Sequence, residues 1–433
     1  MRNTTISLLR LHVDAQLRQS LFPAFAPNVP RLSIRPGSPK AKWWTLLGPA
    51  FAVSIGYIDP GNWATDLAAG AFGFRLLWVI ILANLIAVAL QVAVVRLAVL
   101  TNEDLASAIA RRWPRARPSL WLVFQSSAIA TDLAEFTGIV LGIQMLMHWS
   151  TIASVATGFA IVGLILSLGG RRSKVLEAIL LITIGVVALV FAYQVYVLHP
   201  SAAAVAAGTI PQIPNMSALI VLVGIIGATV MPHNLFLHSA LVLKHCESCD
   251  EGERTERARF FFKKTLIALN VAALINGSIL VVGASLHGAS ESIQVAFQAL
   301  LGVAGGTGAI MFGAALLLTG IAASTTATLS GDYIFKAFSP WSVSPLVRRA
   351  LTLTPSGALL LAGVSATSLL VWSQVALALM LPVVVVPLVL ELRHAYRSRG
   401  LPLTGPIYLG ALSAAVPCIA FDVVLVIQPI LWR

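Results

Sequence analysis

Two tetrapeptides, Asp59-Pro60-Gly61-Asn62 and Met231-Pro232-His233-Asn234, decide how this chain reads. Each lies inside an apolar stretch, residues 43–71 for the first and 215–243 for the second. Proline takes a backbone donor out of a helix and clashes with the preceding turn, so each tetrapeptide breaks the helix that carries it. In the first, Gly61 adds conformational freedom beside the proline. The break exposes backbone carbonyls, which is tolerable at membrane depth only where protein, water or an ion satisfies them.

The surrounding sequence is that of a membrane protein. Of 433 residues, 58% are hydrophobic and 11% charged, with a mean hydropathy of +0.88; an ordinary soluble chain carries about 25% charged residues. Crossing roughly 30 Å of hydrocarbon takes ~20 apolar residues. Runs of that size occur at 76–95, 149–170, 178–198, 215–243, 265–287 and 307–330. Residues 350–390 are long enough for two spans, turning around 363–368, and 407–428 is interrupted only by Asp422. Segments 43–71 and 120–147 contain acids and remain mostly apolar. One helix per run, and two for the longest, gives eleven.

Lysine and arginine orient these spans. With a cytoplasmic N-terminus, the inside segments are 1–42, 101–118, 171–174, 244–264, 331–349 and 391–403. Together with Arg96 they hold 27 of the 29 Lys and Arg residues, leaving only Arg75 and Arg433 outside. Such an excess marks the cytoplasmic side. The expectation is a multi-pass protein of a bacterial inner membrane with its C-terminus extracytoplasmic. The net charge of +12 does not point to nucleic acid, because the basic residues punctuate apolar runs instead of forming a patch. Cys246, Cys249 and Cys418 give no disulfide framework.

The chain is expected to divide into a basic cytoplasmic tail, 1–42, and a membrane domain, 43–433. The tail lacks the apolar core of a signal peptide; it reads as a mobile segment or an interfacial helix on anionic lipid, and no chemistry is assigned to it. Within the membrane domain the two x-Pro-x-Asn breaks fall in the first and sixth helices. Five spans per repeat, an odd number, invert the second copy. Repeat one then covers about 43–198 and repeat two about 215–392, with an extra helix at about 405–429. Interrupted helices at matching places in two halves point to the central site of a transporter.

The residues at the breaks suggest what that site takes. Asp59 supplies a carboxylate and Asn62 an amide oxygen beside freed carbonyls, and a bare aspartate in hydrocarbon should face a cavity or a cation. Asp66 lies a further turn along, on the same polar pathway. In the sixth helix Gly224, Gly227 and Ala228 permit close approach, and the Ala228 carbonyl can point into the break. Met231 adds a thioether. Mg²⁺ and Ca²⁺ prefer all-oxygen sites, whereas sulfur suits transition metals. The mixed set fits Mn²⁺ or Fe²⁺ and also accepts Cd²⁺ or Co²⁺. A methionine taken alone is most often core packing; it is the pairing of two breaks, one with the acid and one with the sulfur, that favours a site.

These motifs resemble the NRAMP family of proton-coupled divalent metal transporters, whose signatures are Asp-Pro-Gly-Asn in helix 1 and Met-Pro-His in helix 6. The resemblance also covers Gly-Pro-Ala at 48–50, Thr131-Asp132-Leu133-Ala134-Glu135-Phe136 and residues 224–239. It implies an all-α LeuT-type fold, helices 1–5 and 6–10 as an inverted repeat plus an eleventh helix, with helices 1 and 6 unwound at the centre. It implies alternating access, and metal held by Asp59, Asn62, Met231 and the backbone carbonyls of Gly56 and Ala228. Gly56 stands where the family often has alanine. Relatives that carry Mg²⁺ depart from the pattern at the helix 6 methionine, which this chain retains.

Asp132 and Glu135, three residues apart, share one face of helix 3, and such acids inside a membrane helix suggest a proton relay. Arg348 and Arg349 are their expected partners, and the resemblance places His233 near the metal. The other reading of Asp132, Glu135 and Arg349 is a static ion network that ties helices together. Gln91, Asn276 and Gln374 resemble positions that line the permeation path, with Gln374 completing the metal shell in one state; interhelical hydrogen bonding is the alternative. His238 reads either as lining the cytoplasmic exit or as bonding a neighbouring helix. The stretch Cys246-Glu247-Ser248-Cys249 lacks the second ligand pair that a structural zinc site needs and reads as an acidic loop.

The expected function is secondary import of divalent transition metals with proton coupling, without ATP or a cofactor: the metal is the substrate and the proton the coupling ion. Lipid is the expected surround, and no nucleic acid or protein partner is implied. Alternatives are the same fold carrying Mg²⁺ or another substrate, and metal transport without proton coupling. A Na⁺-coupled amino-acid carrier conflicts with Asp59, which repels a substrate carboxylate. An enzyme lacks a nucleophile motif, and no Walker motif is present.

Overall fold

In a computed structural model the chain is almost wholly helical, and the structure describes residues 53–169, 173–246, 251–286, 292–341 and 343–431. The basic tail and residues 247–250, with Cys249 of the acidic loop, lie outside the described residues. The helices are α1 Pro60–Gly70, α2 Leu77–Thr101, α3 Leu105–Arg112, α4 Arg117–Met147, α5 Thr151–Gly169, α6 Ser173–Leu198, α7 Ala202–Ala207 and α8 Met216–Val230. There follow α9 Pro232–Cys246, α10 Glu251–Ser285, α11 Ile293–Val303, α12 Gly305–Phe338, α13 Pro345–Leu361, α14 Ala366–Ser398 and α15 Pro406–Leu431.

Eight helical segments among the described residues are long and apolar enough to cross a membrane, counting α8 and α9 as one broken crossing. The broken first span, α5 and α13 are shorter and bring the count to the eleven expected from the apolar runs. The helices outrun those runs, however. Residues 251–264 are charged and were expected in a loop, yet they continue α10 as helix; α12 and α14 likewise extend past their apolar cores. An apolar run marks only the part of a helix that meets lipid, whereas backbone hydrogen bonding continues until a cap or a breaker stops it.

The loops expected at 101–118, 199–214 and 288–306 also hold short helices, α3, α7 and α11. The first is tied down by charge. Arg112 reaches the buried carboxylate of Glu391 on α14 at 3.2 Å, and Arg111 bonds Glu103 at 3.1 Å. The amide of Leu105 donates to Ser239 Oγ on α9 at 3.0 Å.

The packing follows the internal symmetry. The first broken span lies against α10, the seventh span, as the sixth broken span lies against α2, the second; α4 and α12, the third and eighth, pack on each other. An inverted five-helix repeat exchanges the members of each pairing. Helix α14 then closes over both breaks. Its Gln374 side chain lies on Gly61 and its backbone carbonyl at Gln374 on Gly227, where a Cβ has no room. Gly61 and Gly227 are therefore glycines of close approach. Trp63, fully buried, stands edge-on to Phe191 and Phe312 and wedges α1 between α6 and α12.

This contact yields a test. Gly227→Val forces a side chain into the backbone of α14, and overpacking of this kind costs about 1–3 kcal/mol. The thermal midpoint of the purified protein should fall for Gly227→Val and hold for Gly163→Val, whose position opens on empty space.

Candidate metal site

The first span changes from a 3₁₀ turn, Ile55–Ile58, to α1 at Asp59. Asp59 is extended, with φ −72° and ψ 170°, and caps α1 by accepting from the Asn62 amide at 2.8 Å. Pro60 follows at the first helical position, where its missing N–H is no loss. The sixth span does the same with one residue: α8 ends at Val230, Met231 leaves the helical conformation, and Pro232 opens α9.

Side chains meet several of the freed carbonyls. Trp63 Nε1 donates to the Ile58 carbonyl at 3.2 Å and Asn276 Nδ2 to that of Tyr57 at 2.8 Å, while in the first turn of α9 Ser330 Oγ donates to the His233 carbonyl at 2.6 Å. The Ala228 carbonyl is met by Asn62. In the amide orientation that satisfies its neighbours, the Asn62 nitrogen faces Asp59 Oδ1 at 2.8 Å and the Ala228 carbonyl at 3.2 Å, while its oxygen accepts from Asn276 at 3.2 Å. Two oxygens expected to bind metal thus converge on one N–H₂ group.

Around this point stand the remaining expected ligands. Asp59, Asn62, Ala228, Met231 and Gln374 are all buried, none more than 1% exposed. Asn234 donates to Met231 Sδ at 3.6 Å. Gln374 donates to Ser373 Oγ at 3.1 Å, and its Oε1 has no partner. Asp66 is fully buried with neither carboxylate oxygen bonded. Among the described residues no three His, Cys, Asp or Glu side chains gather as a metal cluster.

A second polar assembly lies beside the break. Arg349 bonds Asp132 and reaches Glu135 Oε2 at 3.1 Å, and its Nη2 also donates to Ser324 Oγ at 2.6 Å. The expected pair on helix 3 and one arginine of helix 9 are therefore in contact. Arg348 has a different partner, Asp332 on α12 at 3.2 Å, although it lines the same cavity as Asp132, His233 and Arg349. His233 Nδ1 lies 3.1 Å from Thr131 Oγ1, whose hydroxyl donates to Ser127 at 3.0 Å. Both contacts are satisfied when Nδ1 carries the proton, which leaves Nε2 as a free lone pair.

Gln91 and His238 are brought together rather than spread along a path. Tyr57 Oη, Gln91 and His238 form a buried chain, with Gln91 Nε2 donating to Tyr57 at 2.6 Å and Gln91 Oε1 2.7 Å from His238 Nδ1. The chain ends at Thr265, 3.4 Å from His238 Nε2. For these two residues the contacts are interhelical hydrogen bonds. Sequence reading passed over Tyr57, Thr131, Ser324 and Asp332. Thr131 and Tyr57 adjoin motif residues, which was a usable signal; Ser324 and Asp332 carried none.

Known proteins are similar to this chain over most of its length. A "Divalent metal cation transporter MntH" of Acidiphilium cryptum is 35% identical over 389 residues, covering 88% of this chain and 90% of that protein. Among solved structures, the Eremococcus coleocola manganese transporter, in complex with an aromatic bis-isothiourea substituted compound, superposes with a TM-score of 0.78 at 26% identity over 92% of this chain and 90% of that one. MHP1, a nucleobase-cation-symport-1 family transporter in a closed conformation, shares the fold, with a TM-score of 0.50 at 17% identity, covering 87% and 92%. The fold is the LeuT-type arrangement, all-α, with the first and sixth spans broken at their centres. The family model described as natural resistance-associated macrophage protein-like matches residues 50–428, and the chain belongs to this Nramp family.

Proposed function

We propose that this chain imports divalent transition metals, Mn²⁺ and Fe²⁺ and with them Cd²⁺ or Co²⁺, by alternating access and in symport with protons. The observation that carries the proposal is the convergence of Asp59 Oδ1 and the Ala228 carbonyl on the Asn62 amide at 2.8 and 3.2 Å, inside a closed, proline-broken centre that also holds Met231. The names of similar proteins, a divalent metal cation transporter and a manganese transporter, support it. So does family membership, since members of this family are transporters and not enzymes.

Metal is held by Asp59, Asn62 through its amide oxygen, Met231 Sδ and the carbonyls of Gly56 and Ala228, with Gln374 available to complete the shell. A cation displaces the Asn62 N–H₂ group, and the amide turns to present oxygen. Met231 favours a transition metal over Mg²⁺, because a thioether is a poor substitute for water around a hard ion. Burial of all these groups supports alternating access: an ion reaches a sealed site only when one side opens.

Proton coupling is supported by a charge count. Asp132 and Glu135 share one guanidinium, Arg349, while Arg348 pairs with Asp332. Asp332 is balanced by both Arg348 and Lys336, so the excess carboxylate is confined to the buried pair on Arg349, where one proton neutralises it. His233 Nε2, buried without a partner, gives a proton a first stop between the metal site and this cluster. Buried charge costs several kcal/mol per ion unless compensated, so loading metal beside Asp59 favours movement of that proton away from the metal site and on through the cluster, in the direction the metal travels. The basic loops put the N-terminus in the cytoplasm and the C-terminus outside a bacterial inner membrane.

Three outcomes are expected. In proteoliposomes Asp59→Ala should abolish Mn²⁺ uptake, and full uptake by the variant overturns the site. Met231→Ala should lose discrimination against Ca²⁺ and Mg²⁺ more than it loses Mn²⁺ transport; unchanged Ca²⁺ exclusion removes the thioether argument. Metal addition should acidify the vesicle lumen, read with an internal pH dye, and a flat signal leaves an uncoupled carrier.

A further inference from the structure

The two breaks share one more residue than the proposed site uses. The repeat pairs Asp59 with Met231, Pro60 with Pro232, and Asn62 with Asn234. Asn62 is a proposed metal ligand, and its counterpart has been given no role.

Asn234 is fully buried at the start of α9. Its backbone amide closes the break by donating to the Met231 carbonyl at 3.2 Å. Its side chain points back over the gap. Nδ2 donates to Met231 Sδ at 3.6 Å, and the amide lies against Gly56, where a Cβ would collide with it. The absence of a side chain at Gly56 is thus what admits Asn234. Its Oδ1 has no hydrogen-bond partner. A buried amide oxygen left unbonded costs about 1–3 kcal/mol, a cost that a bound cation removes.

We infer that Asn234 is a further metal ligand of the proposed site: Oδ1 coordinates the ion while Nδ2 fixes the thioether of Met231. This rests on the reading of the site given above. The ligand count agrees with it. Asp59, Asn62, Met231 and the carbonyls of Gly56 and Ala228 offer five donor atoms, and an ion such as Mn²⁺ takes six in octahedral geometry. Gln374 Oε1 is also buried and free, but its side chain packs on Gly61. Asn234 touches Gly56 and Met231 themselves, so its oxygen is held among the ligands, and it needs no amide turn to present it.

The experiment is a calorimetric titration of the purified full-length chain in nanodiscs with Mn²⁺ alone and with Cd²⁺ alone. Asn234→Leu, which keeps the volume and removes the oxygen, should weaken Mn²⁺ about ten-fold and Cd²⁺ less, because sulfur dominates binding of the softer ion. Asn234→Asp keeps an oxygen and loses the amide donor to sulfur. It should hold Mn²⁺ at least as tightly as the parent, and a drop equal to that of the leucine variant overturns the ligand role. The aspartate variant also decides the matter if the leucine variant fails to fold. Asp59→Asn is titrated alongside. Loss of binding there with parental affinity in both Asn234 variants removes this inference alone, whereas parental affinity in Asp59→Asn removes the site on which it rests.

Discussion

A backbone carbonyl in hydrocarbon has no water to fall back on, and the centre of this protein is organised around that constraint. Two prolines interrupt the first and sixth spans, and each interruption frees carbonyls that something must satisfy. Trp63 and Asn276 answer for two of them, each by a side chain aimed at one oxygen. The Ala228 carbonyl is answered by an amide that also faces the Asp59 carboxylate. A group that hydrogen-bonds two acceptors can be replaced by a cation that draws in both, and on the proposed reading an unmet need of the backbone serves as a binding site.

The rest of the packing keeps that centre dry. Gly61 and Gly227 let α14 close directly onto both breaks, and Trp63 with Phe191 and Phe312 fills the space on the other side of α1. Beneath the site the chain from Tyr57 through Gln91 and His238 to Thr265 joins four spans by hydrogen bonds. Each bond in it is made between helices rather than along one. Rearranging any of these spans therefore means exchanging several polar contacts together, which favours discrete states over gradual opening.

A second charged assembly lies beside the proposed metal site. Arg349 holds Asp132 and Glu135 together with Ser324, so the acids are fixed at the crossing of α4, α12 and α13. Thr131 connects their helix to His233, which is a neighbour of Met231 in sequence. Met231 and His233 thus flank the start of the second half of the broken sixth span. Movement of that half-helix would change the surroundings of both residues at once, which is the physical basis of the proposed coupling.

Much of this was legible in the amino-acid order. Hydropathy and the Lys/Arg alternation determined eleven spans, because lipid selects apolar runs and the membrane surface selects charge. The two x-Pro-x-Asn tetrapeptides determined where the helices break and which donors stand there, since proline acts on its own turn. Local chemistry of this kind reads directly. Which partner a side chain takes does not: Arg348 and Arg349 are adjacent, yet one bonds Asp332 and the other Asp132 and Glu135. The helices' outward extent, the union of Gln91 with His238, and the seating of Asn234 over Gly56 were likewise decided only by the tertiary structure. Each depends on the distance between residues far apart in the chain, and that distance is set by how the two repeats pack.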